Sequence, residues 1–382
     1  MITVAFLILA LAGCLYTLLA ATVVLRGMRR RGVAPADMTW PSVTILKPLH
    51  GEEPHLERNL ETFLRQDYPA PVEIVFGVGN AADPAIATVD RLRLANPERA
   101  IRLVVDARRW GENGKVSNLV NMAEHARHEV IVLADSDMSV GPDYLRRVAA
   151  ALAAPGVGAV TCLYRGLALP NLWSRLATQW IDHHFLPNVL VGMALGLAKP
   201  CFGSTIALRA ETLERIGGFR AFADRLADDY AIGEAVRKLG LDVAVPGGLV
   251  LGHLCAATTP RQVLRQEVRW ARTIRSVDPS GFFGSVVTNP VPLATIGALL
   301  ADFSTSATAI LGAAVASRLL LQLLIAGFVK ARPVGLILGP LRDYAAFLVF
   351  ILSFWPGSID WRGHRFALQS DGTLASSDIA GS

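Results

Sequence analysis

Two carboxylates stand one residue apart at the end of an apolar run, Val130-Ile131-Val132-Leu133-Ala134-Asp135-Ser136-Asp137. The run reads as a buried parallel strand. Ligands of open α/β sheets collect at the carboxyl ends of such strands. A hard divalent ion takes one or two carboxylates and completes its shell from phosphates and water. Asp135 and Asp137 therefore suit Mg²⁺ or Mn²⁺ held against a diphosphate. A helix N-cap followed by a turn would use the same three residues without a metal.

Four further groups could do chemistry. Asp83 follows a strand-like run and could accept a hydrogen bond from a nucleobase N–H, although Asp83-Pro84 is also a plain turn signal. Gly114-Lys115 opens a helical stretch, where free N–H groups and a lysine favour phosphate; a solvated lysine is the blander account. Asp228-Asp229-Tyr230 begins another helix, as caps or with one of the two acids as a general base toward an acceptor hydroxyl. Gln266-x-x-Arg269-Trp270 offers a bidentate cation for pyrophosphate and a flat ring for a sugar or lipid, or else a helix lying on headgroups.

The elements that must position these residues follow from hydrophobic periodicity. Strands are expected at 42–48, 72–78, 101–105, 130–134 and 157–162, alternating with helices at 57–66, 85–94, 114–126 and 142–152. Cys201–Arg209 reads as an edge strand, and a helix ending at Gly217-Gly218 follows. A helix is expected from Asp228 to Leu239, with short strands at 243–245 and 249–251. The fold class is α/β, a doubly wound and mainly parallel sheet. Thr259-Pro260 starts a helix with arginines 261, 265, 269, 272 and 275 on one face and Val263, Leu264, Trp270, Ala271 and Ile274 on the other. Residues 172–198 mix tryptophans and His183-His184 with a short apolar run, as an interfacial, acceptor-facing segment or a buried helix.

The 382 residues are 52% hydrophobic, with the excess near both ends. Residues 1–25 form an uncharged anchor followed by Arg26, Arg29, Arg30 and Arg31, which places the rest on the cytoplasmic side by the positive-inside rule. A cytoplasmic α/β domain with interfacial helices is expected over 40–280 after a linker at 32–40. A C-terminal region of three candidate spans over 286–356 starts from 286–301, 307–329 and 334–355, with Lys330 and Arg332 in a cytoplasmic loop and Arg342-Asp343 as a blemish in the last. A polar, partly disordered tail is expected over 357–382. The four cysteines are too scattered for a disulfide framework or a metal knuckle. A net charge of +5 suits anionic headgroups or a sugar nucleotide, and no nucleic-acid-binding motif is present.

The order Asp, Asp-x-Asp, Asp-Asp-Tyr, Gln-x-x-Arg-Trp between membrane segments resembles the inverting family-2-like membrane glycosyltransferases. More narrowly it resembles the ceramide glucosyltransferase family (glycosyltransferase family 21) through Leu46-Lys47-Pro48-Leu49-His50-Gly51, Gln66-Asp67-Tyr68-Pro69, Lys115-Val116-Ser117-Asn118-Leu119 and Gly217-Gly218-Phe219. Ala159 to Gly166, Asp182 to Asn188 and Cys201-Phe202-Gly203-Ser204-Thr205 are similar to its bacterial, hopanoid-associated branch. That resemblance implies a GT-A fold and a UDP-sugar donor. It implies Asp83 on the base, Lys115 near the nucleotide, Asp135 near uridine, ribose and diphosphate, and Asp137 on the metal. Asp229 becomes the catalytic base, and Gln266, Arg269 and Trp270 hold diphosphate and acceptor. It further implies a multi-pass protein of the bacterial inner membrane with a cytoplasmic catalytic domain. The expected reaction moves N-acetylglucosamine to bacteriohopanetetrol. Glucosylceramide synthesis, a processive polysaccharide synthase and a non-catalytic lipid-binding protein are the rivals.

Overall fold

The computed structural model describes residues 1–29, 38–330 and 338–355, and three short strands at 359–361, 364–368 and 374–376. They fall into two units. One takes residues 31–164, 200–256 and 358–382; the other takes 1–30, 165–199 and 257–357.

The first unit contains β1 (Val43–Pro48), β2 (Val72–Val78), β3 (Ala100–Val105), β4 (Val130–Leu133), β5 (Met138–Ser139), β6 (Val157–Thr161), β7 (Leu163–Ala168, in which the chain leaves the unit), β8 (Ile206–Arg209), β9 (Asp242–Ala244) and β10 (Val250–Cys255). Seven form one sheet in the order β3-β2-β1-β4-β8-β6-β9. β3, β2, β1 and β4 are parallel neighbours, β6 is parallel to β9, and β8 runs antiparallel to both β4 and β6. The expected mainly parallel sheet is present, because both faces are covered. Ile45, Ile74, Phe76 and Val132 join Leu60, Phe63 and Val89 on one side. Leu46, Val75, Ile131 and Leu133 join Val116, Leu119, Met122, Ile232 and Val236 on the other. The period of two along each strand thus feeds two cores. Each fully buried aliphatic side chain contributes about 1.5–3 kcal/mol.

One strand assignment needs correcting. Cys201–Arg209 is not an edge strand: only Ile206–Arg209 is strand, and it lies inside the sheet between β4 and β6. Phe202 to Thr205 form a turn closed by the Thr205 N–H on the Phe202 carbonyl at 3.1 Å, so the extended run begins at Ile206. The strand expected at 249–251 runs on to Cys255, and its extension pairs His253 with Met138. Gly217 and Gly218 close the helix before them as expected, at φ +90° and +66°, where a side chain would be strained.

In the helical unit, Ile2–Gly27 and Thr305–Phe328 are long and apolar enough to cross a membrane. Helix 2–29 packs on 290–300 and 305–328 through small residues, Ala10, Ala294 and Ala314. Gly13 is required there, since a Cβ would stand 2.5 Å from the Val287 carbonyl oxygen. The span expected at 286–301 is broken. The helical stretch Pro279–Thr288, which ends in a 3₁₀ turn at Ser285–Thr288, meets the helix Pro290–Leu300 at a bend of 63°, because Pro290 and Pro292 donate no backbone hydrogen bonds. Of the span expected at 334–355, the described helix is Leu338–Ser353. Arg30, Arg31, Arg332 and most of the 32–40 linker lie outside the described residues. So does much of the 357–382 tail, whose described parts pair as an antiparallel three-stranded sheet.

Candidate active site

β4 ends at Leu133, and the chain turns at once. The Ala134 N–H reaches the Leu46 carbonyl at 3.2 Å, the Asp135 N–H reaches Gly203 O at 3.2 Å, and the Met138 N–H returns to Asp135 O at 3.3 Å. This tight turn puts both carboxylates at the carboxyl end of the sheet. The helix Gly114–Ala123, capped by Asn113 through Val116 N–H at 3.1 Å, delivers Lys115 to the same place. Lys115 Nζ lies 2.8 Å from Asp135 Oδ1 and 3.4 Å from Asp228 Oδ2. The bland account of a solvated lysine does not hold: its side chain is 11% exposed. Burial alone would lower the pKa of this amine, but Asp135 and Asp228 override it and hold the ammonium well above its usual range.

Asp228 and Asp229 open the helix Asp228–Lys238 and point differently, as expected for adjacent helical residues. Asp228 turns to Lys115. Asp229 Oδ2 accepts the Gly203 N–H at 2.9 Å, and its Oδ1 accepts the Tyr230 N–H at 2.7 Å. Burial and the neighbouring Asp228 charge push the Asp229 carboxyl up to about 6, against the pull of Lys115. Burial, only partly offset by Lys115, also raises Asp228.

Three residues complete this arrangement, and sequence reasoning gave none of them a role. Gly203 joins the two halves: its carbonyl accepts from Asp135 and its N–H donates to Asp229. A Cβ at this position would stand 2.7 Å from Asp135 Oδ2 and 3.2 Å from Lys115 Nζ. Lys47, at the end of β1, is fully buried; its Nζ donates to the Asp135 carbonyl and sits 3.7 Å above the Phe63 ring. Burial lowers this amine to about 7, against the pull of Asp135, Asp137 and Glu53. His253 on β10 places Nδ1 3.5 Å from Asp137 Oδ1. Burial would lower its pKa, but Asp137 raises it. Burial would likewise raise the Asp137 carboxyl, yet His253 holds it down. A lone histidine among apolar strand residues gives no sequence signal. The β5–β10 pairing brings it beside the second acid of Asp-x-Asp.

A metal fit can be tested on these atoms. Among the described residues no group of three or more His, Cys, Asp and Glu side chains could hold an ion alone. Asp137 and His253 supply one oxygen and one nitrogen donor. Adjacent ligands of an octahedral ion lie ~3 Å apart, given bonds of about 2.0–2.1 Å. The 3.5 Å pair is close to that spacing, leaving the remaining positions for diphosphate and water.

Asp83 lies after β2 and is buried. Its two oxygens accept the Gly51 N–H, each at 3.0 Å, and Oδ1 also accepts the Ala85 N–H at 2.9 Å. It thereby fixes the loop that follows β1. Gln266, Arg269 and Trp270 belong to the helical unit, on the helix Pro260–Val277, which begins with the expected Thr259 cap and a capping box with Gln262. Trp270 stacks on Trp180 at 5.1 Å between ring centroids. Of the residues expected on its apolar face, Leu264 and Ile274 are exposed, and the buried residues of the helix are Glu267 and Ala271. Glu267 is turned inward by an ion pair that the helical pattern does not reveal.

A doubly wound sheet with an acidic turn at the end of β4 and a carboxylate held by a glycine loop define an α/β domain of the GT-A type, attached to apolar helices. The chain belongs to glycosyl transferase family 21, whose pattern it matches over residues 5–374. It is 24% identical to ceramide glucosyltransferase 1 of Caenorhabditis elegans over 246 residues, 63% of this chain and 52% of that protein. It is 26% identical to the beta-monoglucosyldiacylglycerol synthase of Synechocystis over 190 residues, 48% of this chain and 38% of that protein. The chain thus spans about half the length, or less, of these curated relatives. In fold it is similar to a mannosyltransferase of Pyrobaculum calidifontis solved in complex with GDP-Man and Mn²⁺, with a TM-score of 0.56, 22% identity, and coverage of 93% of this chain and 99% of that one.

Proposed function

We propose that this chain is an inverting glycosyltransferase that moves a sugar from a UDP-sugar to a hydroxyl of a membrane lipid. The sugar is N-acetylglucosamine and the acceptor a polyhydroxylated hopanoid, bacteriohopanetetrol; glucose transfer to ceramide is the alternative within the family. The protein sits in the bacterial inner membrane with the sheet-bearing unit in the cytoplasm. One observation carries this reading. A single residue, Gly203, links Asp135, on the donor side, through its carbonyl to Asp229 through its N–H, and the Asp229 carboxyl is pushed up to about 6. A base with that value is ionised at neutral pH yet basic enough to accept a hydroxyl proton.

In this reading Asp229 takes the acceptor proton, and the alkoxide attacks the anomeric carbon from the face opposite the leaving UDP. Asp135 and Lys115 orient the nucleotide and Asp83 holds the base side. Asp137 and His253 would hold Mg²⁺ or Mn²⁺, which supplies positive charge to the departing diphosphate. By resemblance to the family, Gln266, Arg269 and Trp270 are assigned to the diphosphate and the acceptor. The likeness to lipid glucosyltransferases and the two apolar helices support a lipid acceptor.

The test uses membranes from cells expressing the full chain, incubated with Mn²⁺ and labelled UDP-N-acetylglucosamine, UDP-glucose or GDP-mannose, followed by lipid extraction. Labelled lipid is expected with UDP-N-acetylglucosamine, reduced about 10²–10⁴-fold in Asp229→Asn. Label from UDP-glucose in a ceramide product would replace the narrow reading. No labelled lipid from any donor would overturn the broad one.

A further inference from the structure

The helix Leu338–Ser353 carries an arginine and an aspartate side by side in an apolar setting, and both are buried. Ionisable groups in such places are expensive and persist where they are paired and used. Asp343 receives a bidentate pair of bonds from Arg318 at 2.7–3.0 Å and faces His184 Nε2 at 3.0 Å. Arg342 turns the other way. One of its nitrogens lies 2.5 Å from Glu267, and its Nε donates to the Leu176 carbonyl at 3.2 Å.

The two partners of Arg342 sit on two particular helices. Glu267 lies between Gln266 and Arg269 on helix 260–277, one turn before Trp270. Leu176 lies one turn before Trp180 on helix 172–180. Those helices carry the stacked pair Trp270–Trp180. A single guanidinium therefore holds both sides of the stack, pairing by charge with Glu267 and by a hydrogen bond with the Leu176 carbonyl. Glu267 and Ala271 define the buried stripe of helix 260–277. The ion pair thus fixes its rotation, leaving Gln266, Arg269 and Trp270 half-buried beside that stripe. Apolar residues of similar volume would pack a helix at lower desolvation cost, so pairing for stability alone does not account for this choice.

We propose that Arg342 is a positioning residue for the transfer reaction: by bridging Glu267 and the Leu176 carbonyl it sets the rotation of the helix that presents Gln266, Arg269 and Trp270. The donor part of this statement rests on the reading of that helix as the diphosphate-binding one. The placing of the tryptophan stack does not.

The experiment uses the full chain purified in detergent, with three readouts: the exciton signal of the stacked tryptophans in circular dichroism, the Kd for UDP with Mn²⁺, and kcat for transfer from UDP-N-acetylglucosamine to extracted bacterial lipid. Arg342→Met loses the exciton signal, weakens UDP binding about tenfold and lowers kcat about 10–100-fold, as sub-ångström to 1 Å misplacement does. Arg342→Lys, a single point donor, falls between. The double exchange Glu267→Arg with Arg342→Glu regains part of the lost kcat, which covers the case in which the single variant folds poorly. Asp343→Asn lowers the melting temperature to a similar extent but keeps the exciton signal and the UDP affinity. The proposal is overturned if Arg342→Met keeps both, or if Asp343→Asn loses them equally. Arg269→Ala separates the two levels. If it loses UDP affinity while Arg342→Met does not, the positioning role falls and the functional reading stands. If Arg269→Ala binds UDP as the wild type does, the diphosphate assignment falls, and Arg342 retains only the part read by the exciton signal.

Discussion

Replacing Lys115 with methionine keeps the stem and removes the charge that balances three carboxylates. In the wild type the ammonium lies 2.8 Å from Asp135 and 3.4 Å from Asp228. At an effective dielectric of about 20, each contact is worth roughly 5–6 kcal/mol of Coulomb attraction before desolvation is charged against it. Breaking a buried pair from one side costs about 3–5 kcal/mol net. The Asp135 side chain is 36% exposed, so water screens its share and the lower end applies. The loss depends on pH in a definite direction. Burial, with the Asp135 charge near Asp228 and the Asp228 charge near Asp229, raises both carboxyls in the folded protein above their unfolded values, and removing Lys115 raises them further. The fold then binds more protons than the unfolded chain. Stability from this source is present at acid pH and is lost as pH rises through the folded values. The variant should approach wild-type stability near pH 5 and fall behind it by about 3 kcal/mol at pH 8. Catalysis shifts in step. In the proposed mechanism the acid limb of the rate profile follows Asp229, raised to about 6, and should move up by about one unit, since a nearby opposite charge typically shifts a carboxyl by 1–3 units. The groups facing Asp229 are Asp228 on its own helix, Lys115, the Gly203 N–H, Tyr164 and Cys201. None of the others is a cation that could replace the lysine. Initial transfer rates from pH 5 to 9 and thermal melts at pH 5.5 and 8 measure both effects. An acid limb unmoved in Lys115→Met, or an equal melting loss at the two pH values, would refute the reasoning.

Two further outcomes follow from the same geometry. Gly203→Ala places a methyl 2.7 Å from Asp135 Oδ2, and relief requires a shift of about half an ångström; kcat should fall about tenfold with the melting temperature lowered by only a few degrees. A rate within twofold of wild type would mean that the Gly203 link does not set the base. His253→Ala should raise the Mn²⁺ concentration for half-maximal activity about 10–100-fold, as loss of a metal-site group does, while UDP-dependent quenching without metal stays the same. Unchanged Mn²⁺ activation would remove His253 from the metal site.

The sequence alone determined the sheet and the placement of most of the acids at its carboxyl end. Apolar runs with period two, broken by helix caps and prolines, suffice for β1 to β4 and their helices, because both faces of a parallel sheet must be covered. The acids at 83, 135, 137, 228 and 229 were legible for the same reason: each falls at an element boundary, where a carboxylate in an apolar region stands out. Only the tertiary structure decided who their partners are. The Gly203 link depends on an antiparallel strand inserted between β4 and β6, and its sequence reads equally well as an edge. His253 reaches Asp137 through a pairing of strands 115 positions apart, and Lys47 points beneath the Asp135 turn from the end of β1. Arg342 and Asp343 read as flaws in an apolar helix until Glu267, Arg318 and His184 are seen beside them. Local patterns record which face of an element is apolar. They do not record which distant charge meets another, since that depends on register and packing between elements.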